Sequence, residues 1–186
     1  MRPPSPRLLF TLVVVAALLM LGVLPRVFDW LQEQERASRP PRAGLFLVAR
    51  PGRVDRNFDK TVVLLIEVGP DRTWGLVLNR LRTPQDTPLP ADVMRWGGPV
   101  TPERRTTLIR ARENPEGARR ILEGLSWREG VALEGDTLTF AGVAGWRPGQ
   151  LEQELARGGW VLMDASAEQV FSEPGVLWAE CIARHF

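Results

Sequence analysis

The chain has 186 residues, a formal net charge of +2 at pH 7 and a single cysteine, Cys181. This length suits one domain with an appendage. A lone cysteine excludes an internal disulfide and a multi-cysteine metal cluster, and we expect it to be a small buried apolar residue. The first 43 residues hold six arginines against three carboxylates, so residues 44–186 carry a net charge of −1. We therefore expect no nucleic-acid partner, because phosphate backbones require a positive surface.

An apolar run near the N-terminus, Leu8–Leu24, predicts one transmembrane helix. Thr11 is the only polar residue among these 17. As a helix the run spans roughly 25 Å, which nearly crosses a hydrocarbon core of about 30 Å. A cleaved signal peptide is the alternative, but its apolar region is usually shorter, and no small-x-small cleavage site follows Leu24. We therefore expect residues 1–31 to form a membrane anchor with its juxtamembrane segment.

The orientation of this anchor depends on the arginines that flank it. They nearly balance across the predicted span, and under the positive-inside rule we expect the domain on the cytoplasmic side. Residues 32–43 are polar and end in Pro40-Pro41, which predicts a linker. Residues 44–186 then form the predicted globular domain.

The first half of this domain is predicted to consist of strands. Residues 61–68 form a nearly continuous β-branched apolar run, typical of a central strand that is covered on both faces. A turn at residues 69–71 connects it to a hairpin partner. The other predicted elements here are strands at residues 44–49, 73–78 and 106–109, and a proline-containing loop at residues 80–92.

The second half mixes helices with strands. Pro148 and the Gly158-Gly159 pair predict the two ends of a helix over residues 148–157, in which Glu154 and Arg157 lie within one turn. Gly135-Asp136 predicts a tight hairpin. The predicted elements are helices at 115–125, 148–157 and 174–184, hairpin arms at 131–134 and 137–140, and a strand at 160–163. Hairpins dominate, so the predicted class is α+β with a mostly antiparallel sheet.

Three short stretches are too distinctive to arise from periodicity alone. They are residues 75–80 (GLVLNR), 96–100 (WGGPV) and 144–155 (AGWRPGQLEQEL). Together with the opening stretch from Leu47 to Val63, they resemble the YqgE/AlgH family in order and kind. The resemblance implies a sheet curled toward a barrel and flanked by a few helices. It also implies a link to regulation of alginate production, without an established biochemical activity.

The chain departs from the family pattern in several places. Leu81 replaces a proline, Val143 stands where an aromatic is common, and the stretch between Val100 and Gly145 is short, as though one helix of the family were missing. A membrane anchor is a further departure. Because members are chiefly bacterial, we expect the anchor to lie in the inner (cytoplasmic) membrane.

The family motifs supply the candidate contact surface for a protein partner or small ligand. Gly97-Gly98-Pro99 predicts a tight turn, with an anion cradle of exposed amides as the alternative. We expect Trp146 to pack in the core or as a staple, and Gln150 and Glu152 to bond the start of a helix. The full set is Asn79, Arg80, Trp96, Gly97, Gly98, Pro99, Trp146, Pro148, Gly149, Gln150 and Glu152.

Catalytic signatures are missing from the sequence. The only histidine, His185, is penultimate, and no phosphate loop or metal-spaced cluster is present, so no cofactor is expected. Glu67 lies in an apolar strand and needs a partner if buried, for which Arg80 is the candidate. The sequence predicts a membrane-tethered, non-catalytic binding or regulatory module. The alternatives are an enzyme that uses Glu67, Asn79 and Glu152 in one pocket, and a transcriptional regulator.

Overall fold

The computed structural model describes residues 22–27, 39–52, 55–81, 95–132 and 134–185. The chain divides into two compact units, Met1–Arg39 and Pro40–Phe186. In the first unit, residues 22–27 form a helical segment, α1, whose side chains are exposed. Within the described ranges, no helix is both long and apolar enough to cross a membrane. Residues 8–21 of the predicted span and most of the predicted linker lie outside those ranges, so the anchor stays a prediction.

The second unit is built on one curled sheet of nine strands. Its order is β6-β7-β5-β8-β3-β2-β1-β9, and β4 pairs with β8 off this path. Every pairing is antiparallel except β4 with β8. The strands are β1 (Leu45–Ala49), β2 (Val62–Val68), β3 (Thr73–Val77), β4 (Arg95–Trp96), β5 (Val100–Arg110), β6 (Arg119–Leu122), β7 (Leu125–Glu129), β8 (Asp136–Trp146) and β9 (Trp160–Asp164). The predicted class, a curled and mostly antiparallel sheet, is confirmed.

Helices cover both faces of this sheet. They are α2 (Gln150–Ala156), α3 (Ala167–Val170) and α4 (Pro174–His185), and a 3₁₀ turn spans Arg56–Phe58. In β2, Val62 and Leu64 face the core under α3 and α4, whereas Val63 and Leu65 face the core under α2. Both sets are fully buried, which explains the continuous apolar run that marks this strand. Cys181 on α4 is buried as expected.

The helix predicted over residues 115–125 is wrong. Residues 119–129 instead form the β6–β7 hairpin, which turns at Gly124 with a positive φ of 74°. Strand β7 then pairs along β5 from Thr106↔Glu129 to Arg110↔Leu125. A partner strand remote in sequence supplies this ladder, and such tertiary pairing overrides a short helical pattern. The described residues between Val100 and Gly145 contain no helix.

The hairpin predicted around Gly135-Asp136 is also wrong in its first arm. Residues 131 and 132 form no strand, and residue 133 lies outside the described ranges. Strand β8 pairs instead with β5, from Val100↔Val143 to Arg110↔Asp136. The weak strand predicted at residues 106–109 is thus the end of an 11-residue strand. The other predicted strands and helices of the domain are confirmed, except for the loop at residues 80–92, of which only residues 80 and 81 are described.

Strand β4 lies beside the point where the chain leaves β3. An isolated antiparallel bridge joins Leu81 to Arg95, and the Trp96 N–H donates to the Arg80 carbonyl at 3.1 Å. Arg95 is buried, and its guanidinium donates to the Leu78 carbonyl at 2.9 Å. Burial lowers the pKa of Arg95. These bonds fix both ends of the segment that connects β3 to β4.

Gly75 sits where β3 crosses a bulge in β2, between Leu65 and Glu67. A Cβ atom at Gly75 would lie 2.4 Å from the Leu64 carbonyl oxygen and 2.8 Å from a Val63 methyl. Gly145, which pairs with the neighbouring residue Trp74, has only one ordinary contact, at 3.6 Å. The two glycines thus occupy neighbouring ladder positions but differ in the space around them.

We expect Gly75→Ala to lower the free energy of unfolding by about 1–3 kcal/mol or more, because the new methyl overlaps backbone that cannot move. Gly145→Ala is the matched control, and it should change stability by less than about 1 kcal/mol because its methyl enters open space. Urea denaturation of both variants measures the difference. Equal effects would contradict the close packing at Gly75.

Candidate functional site

The Gly97-Gly98 pair forms a wedge between β3 and β8. The Gly97 N–H donates to the Ala141 carbonyl at 2.8 Å, and the Val77 N–H donates to the Gly97 carbonyl at 2.9 Å. A Cβ atom at Gly97 would lie 2.3 Å from the Gly142 carbonyl oxygen, so only glycine permits this approach. Both glycines of the pair are buried. The Gly97 amide is therefore part of the sheet, which favours the turn over the anion cradle.

Asn79 closes the open end of the β2–β3 hairpin. Its Oδ1 accepts the Val62 N–H at 2.9 Å, and its Nδ2 donates to the Lys60 carbonyl at 2.8 Å. The side chain thus takes the place of a backbone peptide in the ladder. The next residue, Arg80, places its guanidinium 5.2 Å from the ring centre of Trp96, a distance at which a cation and an aromatic face attract.

Three aromatic rings cluster on the face of the sheet that α2 covers. Phe58, from the 3₁₀ turn, lies 6.4 Å from Trp146 at the end of β8 and 5.7 Å from Trp160 at the start of β9, between ring centres. The two indoles lie 6.1 Å apart and nearly perpendicular. Edge-to-face contacts of this kind are favourable for aromatic quadrupoles. The trio brings together elements from three separate parts of the chain.

Glu154, on the inner side of α2, holds this trio in place. Its Oε2 accepts the indole N–H of Trp146 at 2.9 Å and that of Trp160 at 2.8 Å. Its Oε1 accepts from Gln150 Nε2 at 2.9 Å, and Gln150 Oε1 accepts the Arg147 N–H at 3.2 Å. The predicted role of Gln150 at the helix start is thus confirmed. The glutamate is a fixed, half-buried charge.

These groups line a cleft of about 380 Å³, which we call the aromatic cleft. Its walls combine the aromatic trio with polar side chains from the 3₁₀ turn and from α2. The polar residues are Asp55, Asn57, Gln150, Glu154 and Arg157. Asp55 Oδ1 accepts the Asn57 N–H at 2.8 Å and so caps the turn. A cleft with an aromatic floor and few fixed polar groups has the form of a ligand site.

The predicted contact surface is thus only partly a concave site. Trp146 and Gln150 line the aromatic cleft, and Pro148 and Gly149 are exposed where α2 begins. Glu152 is exposed on α2 and does not line the cleft. The remaining members lie elsewhere: the sheet buries Gly97 and Gly98, Asn79 and Arg80 are half-buried, Trp96 packs against the core on the α2 face, and Pro99 is exposed.

The sequence did not identify Phe58, Glu154 and Trp160 as site residues. Glu154 was expected to lie near Arg157 along α2, but among the described residues no ion pair joins them, because the carboxylate turns inward to the indoles. The only sequence signal for this arrangement is a tryptophan before the helix and another after it, with Glu154 on the helix between them. In the described ranges, no group of three or more His, Cys, Asp or Glu side chains is arranged to hold a metal.

Glu67 pairs with residues other than the one predicted. Arg72, not Arg80, forms a two-point ion pair with it at 3.2 and 3.0 Å, and the Trp74 indole N–H donates to it at 3.1 Å. The Trp74 hydrogen bond, followed by Arg72, lowers the pKa of Glu67. Glu67 pairs at one end of the β2–β3 hairpin and Asn79 bonds at the other. The pocket that the enzyme alternative requires is therefore not formed.

We expect Glu154→Ala to lower the free energy of unfolding by about 1–3 kcal/mol, because both indole N–H groups lose their acceptor. Glu152→Ala is the matched control on the same helix, and it should change stability by less than about 0.5 kcal/mol. Thermal or urea denaturation of the two variants measures this. Similar losses for both would show that the indoles find other partners.

Known proteins are similar to this chain in sequence and in fold. Residues 46–185 match the family model described as DUF179, AlgH-like. A UPF0301 protein of Streptomyces avermitilis is 34% identical over 171 residues, covering 76% of this chain and 85% of the relative. A UPF0301 protein of Ralstonia nicotianae is 35% identical over 151 residues, covering 69% of this chain and 80% of the relative.

Two solved structures are also similar. A crystal structure of a Corynebacterium diphtheriae protein has a TM-score of 0.65 at 24% identity, covering 78% of this chain and 88% of that one; at this identity the likeness shows the fold alone. The solution structure of the AlgH protein from Pseudomonas aeruginosa has a TM-score of 0.60 at 26% identity, covering 80% and 91%. The chain therefore belongs to the AlgH-like DUF179 family, together with the UPF0301 proteins that it resembles.

Proposed function

We propose that this chain is a binding module that holds a ligand or a partner segment in the aromatic cleft. The observation that carries the proposal is the Glu154 arrangement, in which one carboxylate fixes two indoles and an amide at the wall of an open cleft. Side chains locked by packing and hydrogen bonds are what a recognition site needs, because they lose little freedom on binding. The exposed residues Pro148 and Gly149 extend the contact surface beside the cleft.

The hydrogen bonds that Glu154 and Asn79 make within the protein favour binding over catalysis. Glu154 accepts three hydrogen bonds from neutral donors, and Asn79 bonds two backbone groups. Both side chains are occupied by bonds that maintain the fold. A catalytic group, in contrast, must reach a substrate proton or a reacting atom. We therefore propose a non-catalytic module and do not propose direct control of transcription.

We expect photo-crosslinking to locate the partner at the cleft. A benzophenone side chain placed at Asn57 or Arg157, both exposed at the cleft, should form an adduct in intact cells. The matched control is Glu168, exposed on α3 at the other face of the sheet. Mass spectrometry identifies whether the adduct is a protein or a small molecule. Adducts of equal yield at all three positions, or at none, would argue against the cleft as the site.

We also propose that residues 8–24 tether the module to the cytoplasmic membrane, with the domain on the cytoplasmic side. The support is the apolar run itself, which carries a single polar residue, Thr11, and is followed by Pro25 and Arg26. A tether would confine the cleft to partners at the membrane surface, and thereby raise their effective concentration.

Fractionation of cells tests the tether. The full chain should stay in the membrane pellet after alkaline carbonate washing, whereas a variant that begins at residue 32 should be released into the supernatant. A reporter fused to the C-terminus reads the side of the membrane. Recovery of the intact chain in the soluble fraction, or of a chain shortened by its first two dozen residues, would refute the tether.

A further inference from the structure

We infer that the aromatic cleft takes a cationic group on an apolar stem, such as the guanidinium of an arginine side chain. This inference rests on the proposed function and names the ligand class for the same site. Its first support is the charge of the described residues that line the cleft, among which Asp55 and Glu154 face one cation, Arg157. Neither carboxylate takes part in an ion pair between described residues.

The Glu154 carboxylate is held by hydrogen bonds and not by an ion pair with any described residue. Its three donors are two indoles and one amide, which carry no net charge. Asp55 likewise bonds a neutral donor, the Asn57 N–H, and so caps the 3₁₀ turn. A guanidinium can satisfy such carboxylates with strong charge-assisted hydrogen bonds.

The aromatic trio favours the same ligand chiefly through Phe58, which is half-buried, because Trp146 and Trp160 are only 6% and 4% exposed. The faces of aromatic rings attract cations within about 6 Å of the ring centre. Elsewhere in the described chain, arginines lie over aromatic rings in this way, as Arg104 does over Trp74 at 4.3 Å and Arg80 does over Trp96 at 5.2 Å. Among the described residues, no arginine lies over the trio of Phe58, Trp146 and Trp160.

Other ligand chemistries fit less well. An anion would meet the two carboxylates and have one arginine to bind, so like-charge repulsion would oppose it. A purely apolar ligand would remove the two carboxylates from water without pairing their charge, and burying an unpaired charge is costly. A cation on an apolar stem satisfies both parts of the wall.

The test compares two probes of the same shape, one charged and one neutral. N-acetyl-arginine amide carries the guanidinium, and N-acetyl-citrulline amide is its neutral isostere. Both are titrated into the full-length protein in detergent micelles, and the indole N–H signals of Trp146 and Trp160 are followed by NMR. We expect the arginine probe to bind at least about tenfold more tightly than the citrulline probe. Added salt should weaken the arginine probe alone.

Two variants of the cleft and one control variant test whether the cleft causes the preference for the arginine probe. Glu154→Gln keeps the shape and the acceptor oxygen but removes the charge, so the arginine preference should fall to about threefold or less. Asp55→Asn retains a capping side chain and should reduce the preference independently, which covers the case in which Glu154→Gln folds poorly. Glu152→Gln removes an exposed charge from the same helix and should leave the preference unchanged.

The outcomes separate this inference from the proposed function. Equal binding of the two probes, or no binding of either while cleft crosslinks still form, would overturn the cationic ligand and leave the binding module standing. Loss of the cleft crosslinks would instead count against the module itself. Methylguanidinium is a further probe, which distinguishes a free small cation from an arginine side chain within a peptide as the natural ligand. Binding equal to that of the arginine probe indicates a free small cation, and weaker binding indicates a side chain within a peptide.

Discussion

The structure depends on the way β8 serves both halves of the sheet. Its first part pairs with β5, and its last three residues, Ala144–Trp146, pair with β3. Between the two parts, Gly142 adopts a positive φ of 70°, and Gly97 bonds both Ala141 of β8 and Val77 of β3. Strand β8 therefore joins the β5 ladder and the β3 ladder in one sheet.

The aromatic cleft follows from that course of the chain. Strand β8 ends at Trp146, a short turn starts α2, and the helix brings Glu154 back above the indole that precedes it. Trp160 arrives from β9 on the far side of the helix, and Phe58 arrives from the 3₁₀ turn. The cleft is therefore built on rigid elements, which is the condition under which a recognition surface keeps its shape before the ligand arrives.

The sequence correctly predicted the strands and helices that are determined by their own local residues. Residues 61–68 were recognisable as a central strand because burial on both faces leaves an apolar run. The helix at residues 148–157 was recognisable because proline and glycine mark its ends. The helix predicted at residues 115–125 was wrong. The chain forms a hairpin there because β7 pairs with β5, and local sequence does not reveal a contact between two strands.

The site was harder to predict for the same reason. Trp146 and Gln150 stood out in a family motif, but the role of Glu154 depends on Trp160, six residues further on, after the chain has turned into another strand. Phe58 belongs to the opening stretch of the family resemblance, but it lies nearly 90 residues before Trp146, and its contact with that indole forms only in the folded chain. The excess of carboxylates over arginine among the described residues of the cleft is likewise a property of the assembled site.

The bridge between Leu81 and Arg95 has an evolutionary consequence. Because Leu81 and Arg95 pair directly, the register of β3, β4 and β8 is set by the residues on either side of the intervening stretch and not by its length. The number of residues between Leu81 and Arg95 can therefore change in evolution without altering the described walls of the aromatic cleft, none of which lies in that stretch.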